Sequence, residues 1–371
     1  MSNKYPLPRW ADVVLLPIVC LLVALAAAGV VVYLVGQNPW QVISVLLDGA
    51  FGSQRGIGYT LYYATTFIFT GLAVAVAFHG GLFNIGGEGQ AVLGGLGVGL
   101  VALWWSAALP VWLMLPLMLL AGAVFGAAWA IVPAYLQAYR GSHVVITTIM
   151  FNFIASSVLV YLMVNHIRPA GSMAVESAPF AASAHLPTVQ AALSAVGIDW
   201  AASPLNLSLL IALLACVLVY FFLWRTRAGY RVRAVGSSVT AAEYAGINSR
   251  HYIVLAMAIS GALAGMVGMN EIAGVNGKLM LEFVNGAGFT GIAVALMGRN
   301  HPVGIVFASV LFGALFQGGA EVAFDVPGFS RDMVVMLQGF IVLFSGAMTY
   351  VIAPRLGWIL ARVFKLEVRH G

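Results

Sequence analysis

Apolar runs of about 20 residues, the length a helix needs to cross the hydrocarbon core of a bilayer, recur along almost the whole of this chain. Ten are readable, at 11–36, 57–79, 89–108, 111–138, 143–165, 206–224, 251–273, 286–298, 302–320 and 331–352. Only 8% of the 371 residues are charged and the mean hydropathy is +0.99, whereas a soluble domain carries about 25% charge. A soluble fold would need a core larger than a single domain builds. The expected class is therefore all-α: a polytopic membrane helical bundle of about ten transmembrane helices, some broken or short, forming one transmembrane domain over 1–371. The eighth run, 286–298, is short enough to be a half-helix or a re-entrant segment.

Positive charge orients such a bundle, because cytoplasmic loops retain Lys and Arg. With the N-terminus inside, the inner side collects Lys4, Arg9, Arg140, Arg225, Arg227, Arg231, Arg233, Arg250, Arg299, Arg355, Arg362, Lys365 and Arg369, and the outer side keeps Arg55, Arg168, Lys278 and Arg331. Thirteen of the 17 basic residues thus fall inside, which favours ten crossings with both termini cytoplasmic and a retained first span. The net charge of +5 is spread over short loops and gives no nucleic-acid footprint; for Arg225, Arg227, Arg231 and Arg233 of the internal loop, contact with anionic membrane lipids accounts for most of the charge. Cys20 and Cys216 lie inside apolar runs and read as packing residues, not as a disulfide or a metal site. Two loops are long. Residues 166–205 are expected outside, as a cap or docking surface, and residues 225–250 inside.

Between the second and third runs stands GLFNIGGEGQ, Gly81 to Gln90. A carboxylate at mid-membrane costs roughly 2.5 to 3.5 kcal/mol on insertion scales, and broken backbone at that depth is tolerated only where it is buried or lines a cavity. Phe83, Asn84, Glu88 and Gln90 are thus candidates for a solute path or gate. Asn84 and Glu88 have a second reading, in which they satisfy free N–H groups at the start of the next helix. The glycines from 86 to 97 are expected to give compliance. Other polar residues lie in or beside the later spans: Asn152, Asn270, Glu271, Glu282, Asn285, Gln317, Glu321 and Gln338. Single Asn and Gln residues in spans commonly bridge helices, while Asn152, Asn270 and Glu271 join the path candidates.

The internal loop reads AVGSSVTAAEYAGINSRHY from Ala234 to Tyr252. Thr240 and Glu243 fit a T-x-x-E capping box, with a short helix closed by Gly246. So short a helix is marginal in water by itself, which points to a partner protein. GFTGIAVALMGRNHPVG, Gly288 to Gly304, joins small residues that permit close helix approach to an abrupt turn in which His301 reads as a turn residue. No P-loop, H-E-x-x-H or G-x-S-x-G is present, so the chain is expected to be neither an ATPase nor a membrane enzyme, and it needs no cofactor or metal.

GLFNIGGEGQ, AVGSSVTAAEYAGI and GFTGIAVALMGRNHPVG together resemble the permease subunits of bacterial ABC importers in the branched-chain and ribose permease superfamily, and the FNIGGEGQ form is most similar to the nucleoside-uptake branch. The resemblance runs from the second span to the last. It implies a type II importer-like permease in the bacterial cytoplasmic (inner) membrane. It further implies a second permease subunit in a heterodimer, a separate ABC ATPase, and an extracytoplasmic solute-binding lipoprotein. The segment matching the coupling helix is Ser237 to Ile247, which makes Ser237, Thr240, Glu243, Tyr244 and Gly246 candidates for ATPase contact. A pentose-type sugar permease is the alternative substrate reading. An ion-coupled secondary transporter or channel is the alternative class, and it leaves the capped internal helix unexplained.

Overall fold

The computed structural model describes residue 11 and residues 15–363. The helices in chain order are α1 Leu16–Leu34, α2 Pro39–Phe51, α3 Gln54–His79, α4 Gly87–Trp105, α5 Val111–Arg140, α6 Val144–Leu162, α7 Val189–Ser194, α8 Ser208–Arg225, α9 Arg227–Ser237, α10 Val239–Tyr244, α11 Ser249–Gly265, α12 Ala287–Met297, α13 Pro302–Asp325 and α14 Arg331–Val363. Wide π turns continue α6 (Met163–Ile167) and follow α11 (Met269–Asn276). Among the described residues no strand forms; two isolated bridges, Glu176 with Met280 and Thr188 with Asn206, are the extended pairings.

Local chemistry fixes most boundaries. Ser53 caps α3 by accepting from Gly56 N at 2.9 Å, Asn38 caps α2 with Pro39 at its first position, and Gly141 ends α5 at φ +70°, a left-handed conformation that glycine adopts without a Cβ clash. Among the described residues, six segments are long and apolar enough to cross a bilayer: Gln54–His79, Val111–Arg140, Val144–Ile167, Ser208–Arg225, Ser249–Asn276 and Pro302–Asp325. Helices α1, α4, α12 and α14 stand at the other four expected spans. Residues 12–14 of the first run lie outside the described residues, as do Lys4, Arg9, Lys365 and Arg369 of the charge count. Three helices have no counterpart among the expected spans and the expected capped helix: α2 has too few apolar residues to read as a span, α7 is six residues with none buried, and the arginines of α9 mask a periodic Val232 and Val235, both buried.

The chain forms two compact units, one gathering the ends up to Gly52 and from Leu315, the other running Ser53–Ala314. In the first, Gln317 donates to Glu321 Oε1 at 3.0 Å along α13 and Gln338 donates to the Leu315 carbonyl at 3.1 Å, so Gln338 bridges helices and Gln317 pairs within one. In the second, α3 is the central helix, with Phe67, Ile68, Phe69 and Leu72 through Ala77 all buried.

Glycine sets how closely the helices of this second unit approach. Gly122 and Gly126 of α5 face Gly261 and Gly265 of α11, two small-xxx-small pairs. A Cβ on Gly265 would lie 2.1 Å from the Gly122 carbonyl oxygen, and one on Gly126 would lie 2.2 Å from that of Gly261. α4 joins the same seam, because a Cβ on Gly94 would lie 2.1 Å from Gly265 Cα. This corrects the expectation that glycines 86–97 supply compliance: α4 is one continuous helix from Gly87, and its buried glycines are contacts packed at backbone distance.

Gly265→Ala is therefore expected to destabilise the protein by about 2 kcal/mol, the cost of overpacking a filled seam, whereas Gly339→Ala, where an added Cβ meets nothing within 4 Å, should be neutral or slightly stabilising. Thermal unfolding of both variants in detergent compares them directly.

Candidate translocation site

The chain does not pass straight from α3 to α4. After His79 it turns at Gly81, whose φ is +73° and whose Cβ position would lie 3.0 Å from Gly236 Cα. It then climbs back along α3. Asn84 Nδ2 donates to Ser260 Oγ at 2.9 Å, and that hydroxyl donates to the Ala73 carbonyl at 2.6 Å. Six residues of helix separate Ala73 from His79, about 9 Å. GLFNIGGEGQ is thus a re-entrant segment inside the bundle, and α4 begins part-way along α3.

The eighth expected span mirrors this arrangement. α12 has 11 residues, about 16 Å, roughly half of a crossing. It lies alongside α3: a Cβ on Gly291 would lie 2.5 Å from Thr70 Cβ, Val294 packs on Gly71, and the Asn300 carbonyl lies 3.1 Å from His79 Nε2. The rest of the passage is non-helical. Leu279 packs against Gly99, and the Phe283 ring sits against Gly95. A half-helix and a descending loop thus follow one another here, in keeping with the shortness of the apolar run.

The half-helix α12 meets α4 at their N-termini. Glu88, in the first turn of α4, accepts from Gly286 N at 2.9 Å and Gly288 N at 2.8 Å, and so caps α12, whose unpaired N–H groups and dipole favour a carboxylate. A Cβ on Gly288 would lie 2.2 Å from Glu88 N; glycine is what permits this approach. The sequence reading that Glu88 serves a helix start is right in kind, but the helix is α12 and not its own. α4 is capped from elsewhere: Asn152 Oδ1 accepts from Gly89 N at 2.9 Å while its Nδ2 donates to the Ile85 carbonyl at 3.0 Å.

Asn84 and Gln90 are almost fully buried and reciprocally bonded, Asn84 Nδ2 to Gln90 Oε1 at 2.9 Å and Gln90 Nε2 to Asn84 Oδ1 at 3.2 Å. Asn84 Oδ1 also accepts from Gly86 N. As placed, their polar groups lock the break. Phe83 differs: it is 37% exposed and its ring meets Phe78 edge-on.

A second polar cluster lies in the first half of α3. Glu271, in the π turn, accepts from the Tyr62 hydroxyl and from Thr66 Oγ1 at 2.6 Å. Asn270 donates to Thr66 Oγ1 at 2.8 Å and accepts from Asn206 Nδ2 at 3.0 Å and Ser208 Oγ at 2.6 Å. Five of the groups that hold these clusters, Tyr62, Thr66, Asn206, Ser208 and Ser260, were not picked out from the sequence. The hydroxyl-rich TLYYATT at the start of α3 is the signal that could have found two of them.

The segment 176–186 is stitched to this region. Ser177 N, Phe180 N and Leu186 N donate to the carbonyls of Leu279, Gly277 and Ala273, and Lys278 pairs with Glu176 at 2.7 Å.

At the arginine-rich end, α9 and α10 are seated on the unit. Val232, Val235 and Ala242 pack with Ala77, Leu82, Tyr252 and Met257 in one apolar cluster. Arg231 donates to the Tyr252 hydroxyl at 2.8 Å and Arg233 to the Leu223 carbonyl at 3.0 Å, so these arginines fasten helices. The capping box is displaced. Ser238, not Thr240, caps α10, accepting from Ala241 N at 3.3 Å, and Glu243 accepts from Ser249 Oγ instead of reaching back to the cap. The reason is register: α10 starts at Val239, so Glu243 lies beyond its first turn. Gly246 closes the helix at φ +75° as expected. Ser237, Thr240, Glu243 and Tyr244 are exposed, Tyr244 by 90%. His301 behaves as a turn residue, its Nδ1 accepting from Val303 N at 3.3 Å.

Comparison with known proteins follows the same lines. Residues 56–346 match the profile of the branched-chain amino acid transport system / permease component family. The chain is 36% identical to a glucose ABC transporter permease protein of Haloferax volcanii, over 88% of this chain and 86% of that one. It is 35% identical to the guanosine ABC transporter permease protein NupP of Bacillus subtilis (89% and 92%), and 33% identical to the nucleoside ABC transporter permease protein NupB of Lactococcus lactis subsp. cremoris (89% and 90%). No solved structure matches the chain.

Replacing Glu88 should separate its capping role from its charge. Glu88→Ala leaves two half-buried N–H groups unpaired, at about 1 to 3 kcal/mol each, while Glu88→Gln keeps one acceptor and should lose about half as much. Detergent melting curves of the two variants, measured beside uptake, give that order; equal loss would remove the cap from the account.

Proposed function

The chain belongs to the branched-chain amino acid transport system permease family, and from that premise we propose that it forms one half of the translocation path of an ATP-driven nucleoside importer. A permease subunit of an ABC transporter is a membrane-spanning translocation subunit and not an enzyme, and it works with a separate ATPase. In the proposed assembly a second, different permease chain completes the path, a solute-binding lipoprotein delivers the solute at the cap end, and anionic lipids surround the arginine-rich end. That end faces the cytoplasm, with both termini, and the protein resides in a bacterial inner membrane. The two compact units act as one permease domain.

The observation that carries the coupling part of this reading is α10. It is held to the bundle by one buried residue, Ala242, and presents an uncovered outer face with Val239 and Tyr244 exposed. Its seat is continuous with the re-entrant break, since Ala242 and Leu82 share one cluster and Gly81 abuts Gly236. A push on α10 by an ATPase thereby has a packed route to the break below the half-helix junction, a small displacement of packed units. An ion-coupled transporter gives no reason for such a helix. Nucleosides are preferred because two of the relatives above carry guanosine or nucleosides in their names. The glucose permease supports the sugar alternative.

Tyr244→Ala and Gly246→Ala test the coupling. The first strips the exposed ring; the second forces a Cβ into a left-handed position at about 1 kcal/mol. Uptake by the complete transporter should fall roughly tenfold, equivalent to about 1.4 kcal/mol on the coupled step, with membrane levels unchanged and ATP hydrolysis no longer raised by solute. Unaltered uptake in both variants removes α10 from the coupling path. Competition of labelled guanosine uptake by unlabelled nucleosides, glucose and pentoses decides the substrate.

A further inference from the structure

The loop that descends into the half-helix junction carries a face the polar clusters leave unused. Gly291 sits beside Thr70, 16 residues or about 24 Å from the start of α3, and three residues earlier Gly288 meets Glu88. The stretch 282–289 therefore lies about half-way along the unit's central helix. Within it, Glu282 and Asn285 hold left-handed backbone at φ 57° and 48°, although neither is glycine. Both are exposed, and among the described residues neither side chain makes a hydrogen bond or ion pair. Phe289, in the first turn of α12, is 48% exposed.

An open carboxylate, an open amide and non-helical backbone at that level are incompatible with a lipid-facing surface, where such groups find no partner. Asn84, Gln90, Asn270 and Glu271 have spent their polar groups on neighbouring residues; Glu282 and Asn285 have not. We propose that Glu282, Asn285 and Phe289 line the water-filled path and contact the solute in transit. The carboxylate accepts from ring hydroxyls, and the amide offers a donor and an acceptor to a heterocycle edge. Phe289 supplies a stacking face of the kind that holds a nucleobase. The ligand class is a neutral hydroxylated ring bearing a planar apolar face; narrowing it to a nucleoside rests on the function proposed above.

Cysteine accessibility in the complete transporter tests this without assuming the substrate. Both native cysteines are buried, so the parent gives a low background. Asn285→Cys and Phe289→Cys, the second on an unstrained helical position, are exposed to a charged, membrane-impermeant methanethiosulfonate in right-side-out and inverted vesicles. Leu210→Cys on the exposed apolar face of α8 serves as reference. The expected result is modification several-fold faster than at Leu210→Cys, slowed by guanosine. Reaction no faster than the reference at both positions overturns the path assignment. Rapid reaction slowed by glucose or ribose but not guanosine upholds the lining and rejects the nucleoside reading. Rapid reaction that no transported solute slows overturns solute contact. Glu282→Gln should raise the KM for uptake with unchanged membrane level, and an unchanged KM removes Glu282 from the contact set.

Discussion

The carboxylate of Glu88 receives the first backbone N–H groups of α12, and the rest of the second unit depends on that junction. A half-helix that starts inside a membrane bundle exposes donors where water cannot serve them. Without an anionic acceptor at that point, α12 would have to start at a surface, and the chain from 277 to 286 would have no reason to descend. The acceptor comes from the first turn of α4, itself a helix that begins inside the unit. Its own donors are met by Asn152, and the loop leading to it is met by Asn84, Gln90 and Ser260. Two broken crossings are thus stabilised by one another.

Close packing makes that exchange possible. Gly87 and Gly288 bring two helix starts to backbone distance, while Gly94, Gly122, Gly126, Gly261 and Gly265 draw α4, α5 and α11 together behind them. In lipid there is little hydrophobic gain in helix association, so contact at small residues and interhelical hydrogen bonds carry the cohesion. The same glycines that weaken a helix in isolation are here the surfaces on which it packs. The polar residues of the junction divide accordingly: Asn84, Glu88, Gln90 and Asn152 are consumed in joining segments, while Glu282 and Asn285 stand open on the descending loop.

Much of the architecture was legible in the sequence, and the reasons are specific. Ten apolar runs gave the positions of ten of the helices because the bilayer sets the length a crossing needs, and the shortness of the run at 286–298 allowed for a half-helix there, as α12 is. GLFNIGGEGQ was legible as a break because Glu and four glycines are costly there. Other features were not readable. α9 was hidden because its three-residue rhythm of Gly229, Val232 and Val235 is sparse among arginines, and the T-x-x-E pattern misplaced the cap of α10 because Ser238 competes for the same role two residues earlier. Tyr62 and Asn206 were missed since an isolated polar residue in an apolar run carries no sign of its partner.

The sequence by itself determined a polytopic α-helical permease, its breaks and its family, because membrane length, charge and local motif chemistry act over tens of residues. Only the tertiary structure decided what each polar group does. Glu88 caps a helix 200 residues away, Asn152 closes the break that Asn84 opens, and glycines expected to bend turned out to pack. Those outcomes depend on which segments lie side by side, and a hydrogen bond between residues 88 and 288 has no signature in the residues between them.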